Sequence, residues 1–290
     1  MSADHTNLFA YTRPAHVGET TLVVKDLALV SEYYQRLIGL QVLEQGLSGA
    51  VLGAGGKPLL RLETASDVRP APRQSSGLFH TDFLMSDRSA LGRWLVHAAH
   101  SGVRLDGAAD HLVSEAIYLT DPEGNGIEIY ADRPHEQWTY AADGTVAMDT
   151  LALDLQRLYD ETPKTTTWSG MEDDVAIGHL HLKVGNLPAA DQFFEEVLGL
   201  KKMCAYPGAS FYATGNYHHH VAANIWQSRG AGTRDSQQSG LMRYSLRFND
   251  AAAFQQVTGA LDRLEIPTSR TAGGVTFRDP WGMDVVLTVA

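Results

Sequence analysis

Several histidine and glutamate side chains stand in or beside predicted β-strands of this 290-residue chain. His80 lies within the apolar run LFHTDFLM, His179 opens the run HLHLKV, and Glu128 follows a DPEGNG turn. A further group is the tract YHHHVAAN, which begins at Tyr217. Imidazole and carboxylate groups bind divalent metal ions, and imidazole also exchanges protons near neutral pH. A single strand histidine is more often structural, so the elements that position these residues decide whether they form a site.

An internal repeat organises these residues. The stretch 175–200 has the pattern of a strand followed by a helix, with Asn186 as the predicted N-cap. The stretch 17–40 repeats this pattern at a constant offset of 160, so that Tyr34 corresponds to Phe194. A register shared over so long a stretch indicates a repeat, which is interpreted before single residues.

A second kind of unit begins at Gly77 and returns at Gly240. GLFHTDFLM parallels GLMRYSLRF, and LTDPEGNGIEI parallels FRDPWGMDVVL. The chain therefore reads as units A, B, A′ and B′, each a strand, a helix and three strands. One such unit leaves a sheet face open, so we predict an α+β fold of four βαβββ modules paired into two curved-sheet cups. We expect an N-terminal arm (1–14), a first domain (15–132, with modules 15–66 and 77–132), a connector (133–174) and a second domain (175–290, with modules 175–228 and 240–290).

Composition excludes several classes of function. A net charge of −11 argues against nucleic acid and anionic membrane as partners, because both attract basic surfaces. The single Cys204 excludes an intrachain disulfide and fits a reducing compartment. The sequence has neither an apolar run near the roughly 20 residues of a membrane helix nor a secretory signal. We therefore expect a cytoplasmic protein.

The repeat units carry motifs of a known superfamily. The patterns V-x-D/N-L…Y/F-Y/F…L-G-L and D-P-x-G-x-x-[IV]-[EV] resemble those of the vicinal oxygen chelate proteins, which include glyoxalases, bleomycin-resistance proteins and extradiol dioxygenases. Over about residues 15–290 the chain resembles the four-module extradiol catechol dioxygenases. The tracts 109–130 and 217–226 resemble the catechol-2,3-dioxygenase branch. The resemblance implies the vicinal oxygen chelate fold, a role in the catabolism of aromatic compounds, and a homo-oligomer.

The resemblance also implies a metal site, since family ligands stand on the first and last strands of a module. In units B and A′ the matching positions hold His80, Glu128 and His179. Their counterparts in units B′ and A are, in the same order, Arg243, Val286 and Glu19. The first set is the facial triad of non-haem Fe(II) oxygenases, with Mn(II) as the alternative metal. This site requires unit B to face unit A′. If A faced B instead, the cup would hold Glu19, His80 and Glu128.

The implied reaction opens a catechol or hydroquinone ring beside its hydroxyl groups and incorporates both atoms of O₂. Such a reaction needs a proton acceptor near the metal. The resemblance assigns this role to His220. His219 is the fallback, because in a strand it would face the side opposite to His218 and His220. The resemblance also places Tyr118 over the substrate as a hydrogen-bonding group. His111, in the same tract, is a candidate second polar group.

Two other functions are compatible with the same residues. A glyoxalase-like isomerase, lyase or transferase would use His220 as a fourth protein ligand and so close the position that O₂ needs. A metal-free binding protein, like the drug-binding members of the superfamily, is the third reading. The retained set of two histidines and one glutamate argues against it.

Overall fold

The structure is a computed structural model that describes residues 8–65, 67–164 and 168–289. Residues 1–7 of the predicted arm lie outside the described residues, as do 66 and 290 at two predicted module ends. The rest of the arm forms a 3₁₀ turn, Phe9–Thr12. No helix among the described residues is long and apolar enough to cross a membrane.

Each of the four units contains the predicted strand, helix and three strands. Units A and B contain β1 (Ala15–Val23), α1 (Leu27–Tyr33), β2 (Gln41–Gln45), β3 (Gly49–Ala54) and β4 (Lys57–Glu63), then β5 (Gly77–Met85), α2 (Arg88–His100), β6 (Gly107–Asp110), β7 (Ser114–Thr120) and β8 (Gly126–Asp132). The connector contains β9 (Leu151–Ala152) and α3 (Leu155–Glu161). Units A′ and B′ contain β10 (Ala176–Lys183), α4 (Leu187–Gln192), β11 (Lys201–Tyr206), β12 (Ala209–Ala213) and β13 (Val221–Asn224), then β14 (Gly240–Phe248), α5 (Ala251–Arg263), β15 (Thr268–Thr271), β16 (Gly274–Arg278) and β17 (Asp284–Val289). The predicted α+β fold of four βαβββ modules is confirmed.

The strands form two sheets that each combine units from both halves of the chain. The first sheet has the order β15-β16-β17-β14-β1-β4-β3-β2, and the second has β11-β12-β13-β10-β5-β8-β7-β6-β9. The joins are the antiparallel pairs β1–β14 and β10–β5. Unit A therefore continues into B′, and unit B continues into A′. The predicted pairing of B with A′ is confirmed.

Side-chain caps fix where the helices begin. Asn186 accepts a hydrogen bond from the backbone N–H of Ala189, as its position before the helix predicts. Asp87 caps α2 in the same way. In units A and A′ the helices α1 and α4 each continue into a π-helical turn. These turns contain Tyr34 and Phe194, whose rings are fully buried.

The connector differs from its prediction in one place. The sequence predicts a short helical piece over 151–158, but β9 occupies Leu151–Ala152 and the helix runs Leu155–Glu161. Residues 151–152 pair with β6 at the sheet edge, and Asp154 then caps the helix by accepting from the N–H of Arg157. The helix begins only after Asp154, because the backbone of an N-cap residue is not helical.

Candidate metal centre

The central strands of the second sheet place a row of polar side chains on one face. The strand register sets His179 opposite Asp82, Asp82 opposite Glu128, and Glu128 opposite Tyr118, across β10, β5, β8 and β7. Neighbouring strands lie about 4.8 Å apart, so side chains in such a row contact one another. His80 shares their face because it stands two residues before Asp82.

Four of these residues form a compact, buried cluster. Ligand-type atoms of His80, Asp82, Glu128 and His179 all lie within 4.8 Å of one another. The Nε2 atom of His179 is 3.3 Å from Asp82 Oδ2 and 3.7 Å from Glu128 Oε2, and His80 Nδ1 is 3.6 Å from the same Oε2. Atoms that each bind one metal ion at about 2.1 Å stand about 3.0–3.4 Å apart, so this spacing fits a metal site.

The electrostatics of the cluster also favour a cation. Burial, reinforced by the neighbouring Glu128, raises the pKa of Asp82 well above its usual range. Burial lowers the pKa of His80 and of His179, so both imidazoles are neutral at pH 7, the form that binds metals. Within the described part of the chain, Asp82 Oδ2 accepts no hydrogen bond and no Lys or Arg pairs with either carboxylate. Two adjacent buried carboxylates are costly without a partner, and a divalent ion would supply one.

A cavity of about 810 Å³ opens beside the cluster. Its wall contains Phe79, Tyr118, His181, Phe211, His219 and Trp226. The ring of His181 is 5.0 Å from that of Phe79 and 5.4 Å from that of Trp226, and its Nδ1 is 3.2 Å from His80 Nε2. An aromatic ligand would therefore meet aromatic side chains next to the cluster.

The structure brings Tyr118 and His111 together in this cavity. His111 Nδ1 donates to the carbonyl oxygen of Asp149 at 2.8 Å. In neutral His111, Nε2 then carries no proton, so it accepts from the Tyr118 hydroxyl at 2.6 Å. This contact fixes the position of the phenol oxygen above Glu128.

The predicted acid–base residue His220 does not line the cavity. Its Nε2 donates to the carbonyl of Ala10 at 3.2 Å, and its Nδ1 accepts from the N–H of Thr214 at 3.4 Å. His219 lines the cavity instead, with its ring 4.1 Å from that of His179. Residues 217–220 precede β13 and are not a strand, so alternation does not apply to them. The expectation that His220 faces inward is corrected to His219.

A buried hydrogen-bond chain continues behind His219. His219 Nδ1 and His218 Nδ1 are 2.8 Å apart, and His218 Nε2 is 2.8 Å from Asp132 Oδ1. The other oxygen of Asp132 accepts from the hydroxyl of Tyr217 at 2.9 Å. The chain therefore links a cavity histidine to a carboxylate through a second histidine.

Sequence reasoning did not single out Asp82 or His181. Both signals are in the sequence, since Asp82 follows His80 by two residues and His181 follows His179 by two. Positions i and i+2 of a strand share a face, so these polar residues had to face the same side as the predicted ligands.

The counterpart positions in the first sheet hold ion pairs. Glu19 accepts from Arg61 at 2.9 Å, and Arg243 lies 3.5 Å from Asp284. Val286 stands on β17 and contributes no ligand atom. These pairs provide partners for the charges of Glu19 and Arg243.

Comparisons with known proteins agree with this architecture. The profile of the Glyoxalase/Bleomycin resistance protein/Dioxygenase superfamily matches residues 13–129. The protein named catechol-2,3-dioxygenase from Bacillus subtilis (strain 168) is 35% identical over 269 residues, which is 91% of this chain and 94% of that protein.

Solved structures show the same fold at low identity. A Bacillus subtilis subsp. subtilis strain 168 protein with a provisional dioxygenase name aligns with a TM-score of 0.65 and 14% identity, covering 94% of this chain and 84% of that one. Glyoxalase I from Zea mays aligns with a TM-score of 0.55 and 16% identity, covering 96% and 94%. The relative that is 35% identical over nearly the whole length of both chains, in agreement with the family profile, establishes that the chain belongs to the glyoxalase/bleomycin resistance protein/dioxygenase superfamily, the vicinal oxygen chelate proteins.

Proposed function

We propose that this protein is an extradiol ring-cleaving dioxygenase that acts on catechol-type substrates at a non-haem Fe(II), with Mn(II) as the alternative. The observation that carries the proposal is a buried set of two histidines and a carboxylate, His80, Glu128 and His179, beside an aromatic-lined cavity. The similarity to a protein named catechol-2,3-dioxygenase supports it. When bound, the metal would supply chelation of the diol and electron transfer to O₂, which side chains do not provide.

His219 is placed to accept a proton from a substrate hydroxyl group. Because a carboxylate only accepts hydrogen bonds, His218 Nε2–H donates to Asp132. The Nδ1 atom of neutral His218 then accepts from His219 Nδ1–H. This leaves a lone pair on His219 Nε2, the atom that we propose takes the proton.

Tyr118 and His111 orient the substrate in this proposal. Burial raises the pKa of Tyr118 well above its usual range, so the phenol keeps its proton. Its hydroxyl donates to His111 and still offers lone pairs, which can accept a hydrogen bond from a substrate hydroxyl. Together with His219, a second hydrogen-bonding group in the same cavity would hold the ring in one orientation.

Asp82 favours a second candidate, a glyoxalase-like metal-dependent isomerase, lyase or transferase. The carboxylate of Asp82 could be a fourth protein ligand in the cluster, a part that His220 cannot take from its position. Four protein ligands would leave fewer positions for a diol and O₂ together. In the dioxygenase proposal, Asp82 instead contacts the His80 ring and holds it in place without binding the metal.

The test is oxygen consumption by Fe(II)-loaded protein prepared without air. With catechols and hydroquinones we expect oxygen uptake together with the yellow absorbance of a ring-opened semialdehyde. Both signals should disappear in His179→Ala and Glu128→Ala. The matched control is Glu19→Ala, which changes the position equivalent to His179 in the other sheet and should keep full activity.

The other outcomes identify the alternatives. Tight metal binding without oxygen uptake for any diol would overturn the dioxygenase proposal in favour of the isomerase-type activity. Absence of metal binding would leave a small-molecule binding protein. A cytoplasmic location and a homo-oligomeric state are part of the proposal, and size measurement of the purified protein tests the latter.

A further inference from the structure

The cavity has a cationic end as well as a metal-binding end. Strand β10 carries His179, His181 and Lys183 at alternate positions, so all three side chains share one face, and all three line the cavity. Lys183 lies four residues from His179, which is about 13 Å along a strand. The half-buried amine of Lys183 therefore stands at the far end of the same cavity.

A second cation comes from a connector. Arg73, in the 69–76 connector between units A and B, also lines the cavity, and Lys183 Nζ donates to its carbonyl oxygen at 3.1 Å. Burial and the charge of Arg73 lower the pKa of Lys183. The two cationic residues are thus close enough for the charge of Arg73, which is exposed, to act on Lys183, in a chain whose net charge is −11.

The acidic residues of the cavity do not neutralise this pair. No carboxylate of the described residues lies within 4 Å of the charged groups of Lys183 or Arg73. Glu123 accepts from two backbone N–H groups, and Asp106 accepts from the hydroxyl of Thr120. A third cavity cation, Arg234, differs because Asp235 and Asp279 lie close to it and its guanidinium donates to two carbonyls.

We propose that Lys183 and Arg73 form a subsite for an anionic substituent, and that the preferred substrates are catechols with a short carboxylate side chain. The inference rests on the proposed function for the catechol and on the cation pair for the carboxylate. The diol would lie at the metal cluster, the ring among Phe79, His181 and Trp226, and the carboxylate at Lys183. A carboxylate accepts charge-assisted hydrogen bonds from both side chains, and the remaining Nζ protons of Lys183 are free to donate.

Calorimetric titration without oxygen tests the subsite without requiring turnover. The Fe(II)-loaded protein is titrated with 3,4-dihydroxyphenylacetate and with its uncharged amide, 3,4-dihydroxyphenylacetamide. We expect the acid to bind about tenfold more tightly than the amide, and the difference to shrink at high ionic strength. The difference should vanish in Lys183→Met and return in Lys183→Arg. It should persist in the control Lys57→Met, which removes a lysine of the other sheet.

A second arm separates this subsite from the dioxygenase proposal. Metal-free protein is titrated with phenylacetate and phenylacetamide, which carry no diol. A preference for phenylacetate that depends on Lys183 would support the subsite even if no catechol is ever cleaved. Equal binding of each acid and its amide by the parent protein would overturn the proposal. So would a preference that survives both Lys183→Met and Arg73→Gln in folded variants.

Discussion

Asp82 is not among the predicted metal ligands, but it contacts both histidines of the cluster. One oxygen contacts His80 Nδ1, and the other lies 3.3 Å from His179 Nε2. Asp82→Asn keeps the size of the side chain and one acceptor oxygen but removes the charge, so it weakens the contact that orients the His80 ring. Groups that orient metal ligands typically contribute about 10–100-fold to metal affinity.

We therefore expect Asp82→Asn to bind Fe(II) about 10–100-fold more weakly in anaerobic competition with a chelator. Asp106→Asn is the matched control, since Asp106 lines the cavity outside the cluster and should leave the affinity unchanged. Equal affinity of Asp82→Asn and the parent protein would make Asp82 a core residue without a part in metal binding.

The neighbouring histidines His219 and His220 should respond to mutation in opposite ways. If His219 is the proton acceptor, His219→Ala lowers kcat by about 100-fold or more, the usual range for general acid–base groups. His220→Ala should keep kcat near the parent value but lower the free energy of unfolding by about 1–3 kcal/mol. The reason is that the buried carbonyl of Ala10 and the N–H of Thr214 lose their partner.

Steady-state kinetics and urea denaturation of both variants make the comparison. Loss of turnover in a stable His220→Ala protein, with His219→Ala unaffected, would reverse the assignment. The matched pair controls for the removal of one imidazole from the same tract.

The residues of the cluster show what sequence reasoning can reach. The resemblance to the vicinal oxygen chelate proteins leads to His80, Glu128 and His179, because the repeat register locates the family's ligand positions in each unit without knowledge of the sheet. Strand periodicity alone would also have reached Asp82. It failed at His219, since the three histidines of the tract precede β13 and no local pattern marks where that strand begins.

At the scale of elements, the two D-P-x-G turns are built alike. Asp121 Oδ1 accepts from the N–H groups of Glu123 and Asn125, and Asp279 Oδ1 accepts from those of Trp281 and Met283. Burial raises the pKa of Asp279 to about 7, against the lowering effect of its backbone hydrogen bonds. The turn before β17 is thus a pH-sensitive element.

The sign of its effect on stability follows from proton binding. Between about pH 4 and pH 7 the folded state holds a proton on Asp279 that the unfolded state has lost, so stability falls as the pH rises. The contribution is present below about pH 4 and is lost by about pH 7. Between pH 5 and pH 8 the loss should reach up to about 3 kcal/mol.

Urea denaturation of Asp279→Asn at these two pH values measures the effect. The variant keeps the acceptor oxygen but cannot ionise, so its stability should decline less with pH than that of the parent protein. Asp262→Asn, at an exposed ion pair with Arg270, is the control. Identical declines in parent and Asp279→Asn would show that Asp279 does not titrate in this range.

The sequence predicts features that depend on residues close together in the chain, such as helix caps. It does not predict features that depend on contacts between distant segments. The caps Asn186 and Asp87 mark their helices because side chain and backbone lie within a few residues. The connectors 69–76 and 228–239 read as linkers, yet both line the cavity. They are joined by hydrogen bonds between Arg69 and residues 237 and 239, far apart in sequence.

At the scale of the whole molecule, each sheet combines one module from the first half of the chain with one from the second half. Each sheet is completed only when a unit of one half pairs with a unit of the other, through β1–β14 and β10–β5. The cluster reflects this, since unit B supplies His80, Asp82 and Glu128 and unit A′ supplies His179. The candidate metal ligands therefore come together only when the two halves pair.

This arrangement predicts the behaviour of the separated halves, residues 1–164 and 165–290. Each fragment alone would leave β1 and β5, or β10 and β14, as open sheet edges, and such edges promote aggregation. We expect neither fragment to bind metal or to unfold cooperatively by itself. Co-expressed fragments should associate and recover one metal ion per pair, measured by metal analysis of the purified complex.

The matched control carries His179→Ala in the second fragment and should associate without recovering the metal affinity. The informative contrary result is a folded 1–164 fragment that binds metal alone and loses it on Glu19→Ala. That result would mean that units A and B can pair directly and form the alternative site of Glu19, His80 and Glu128. The choice between the two pairings would then depend on the presence of the second half rather than on the modules themselves.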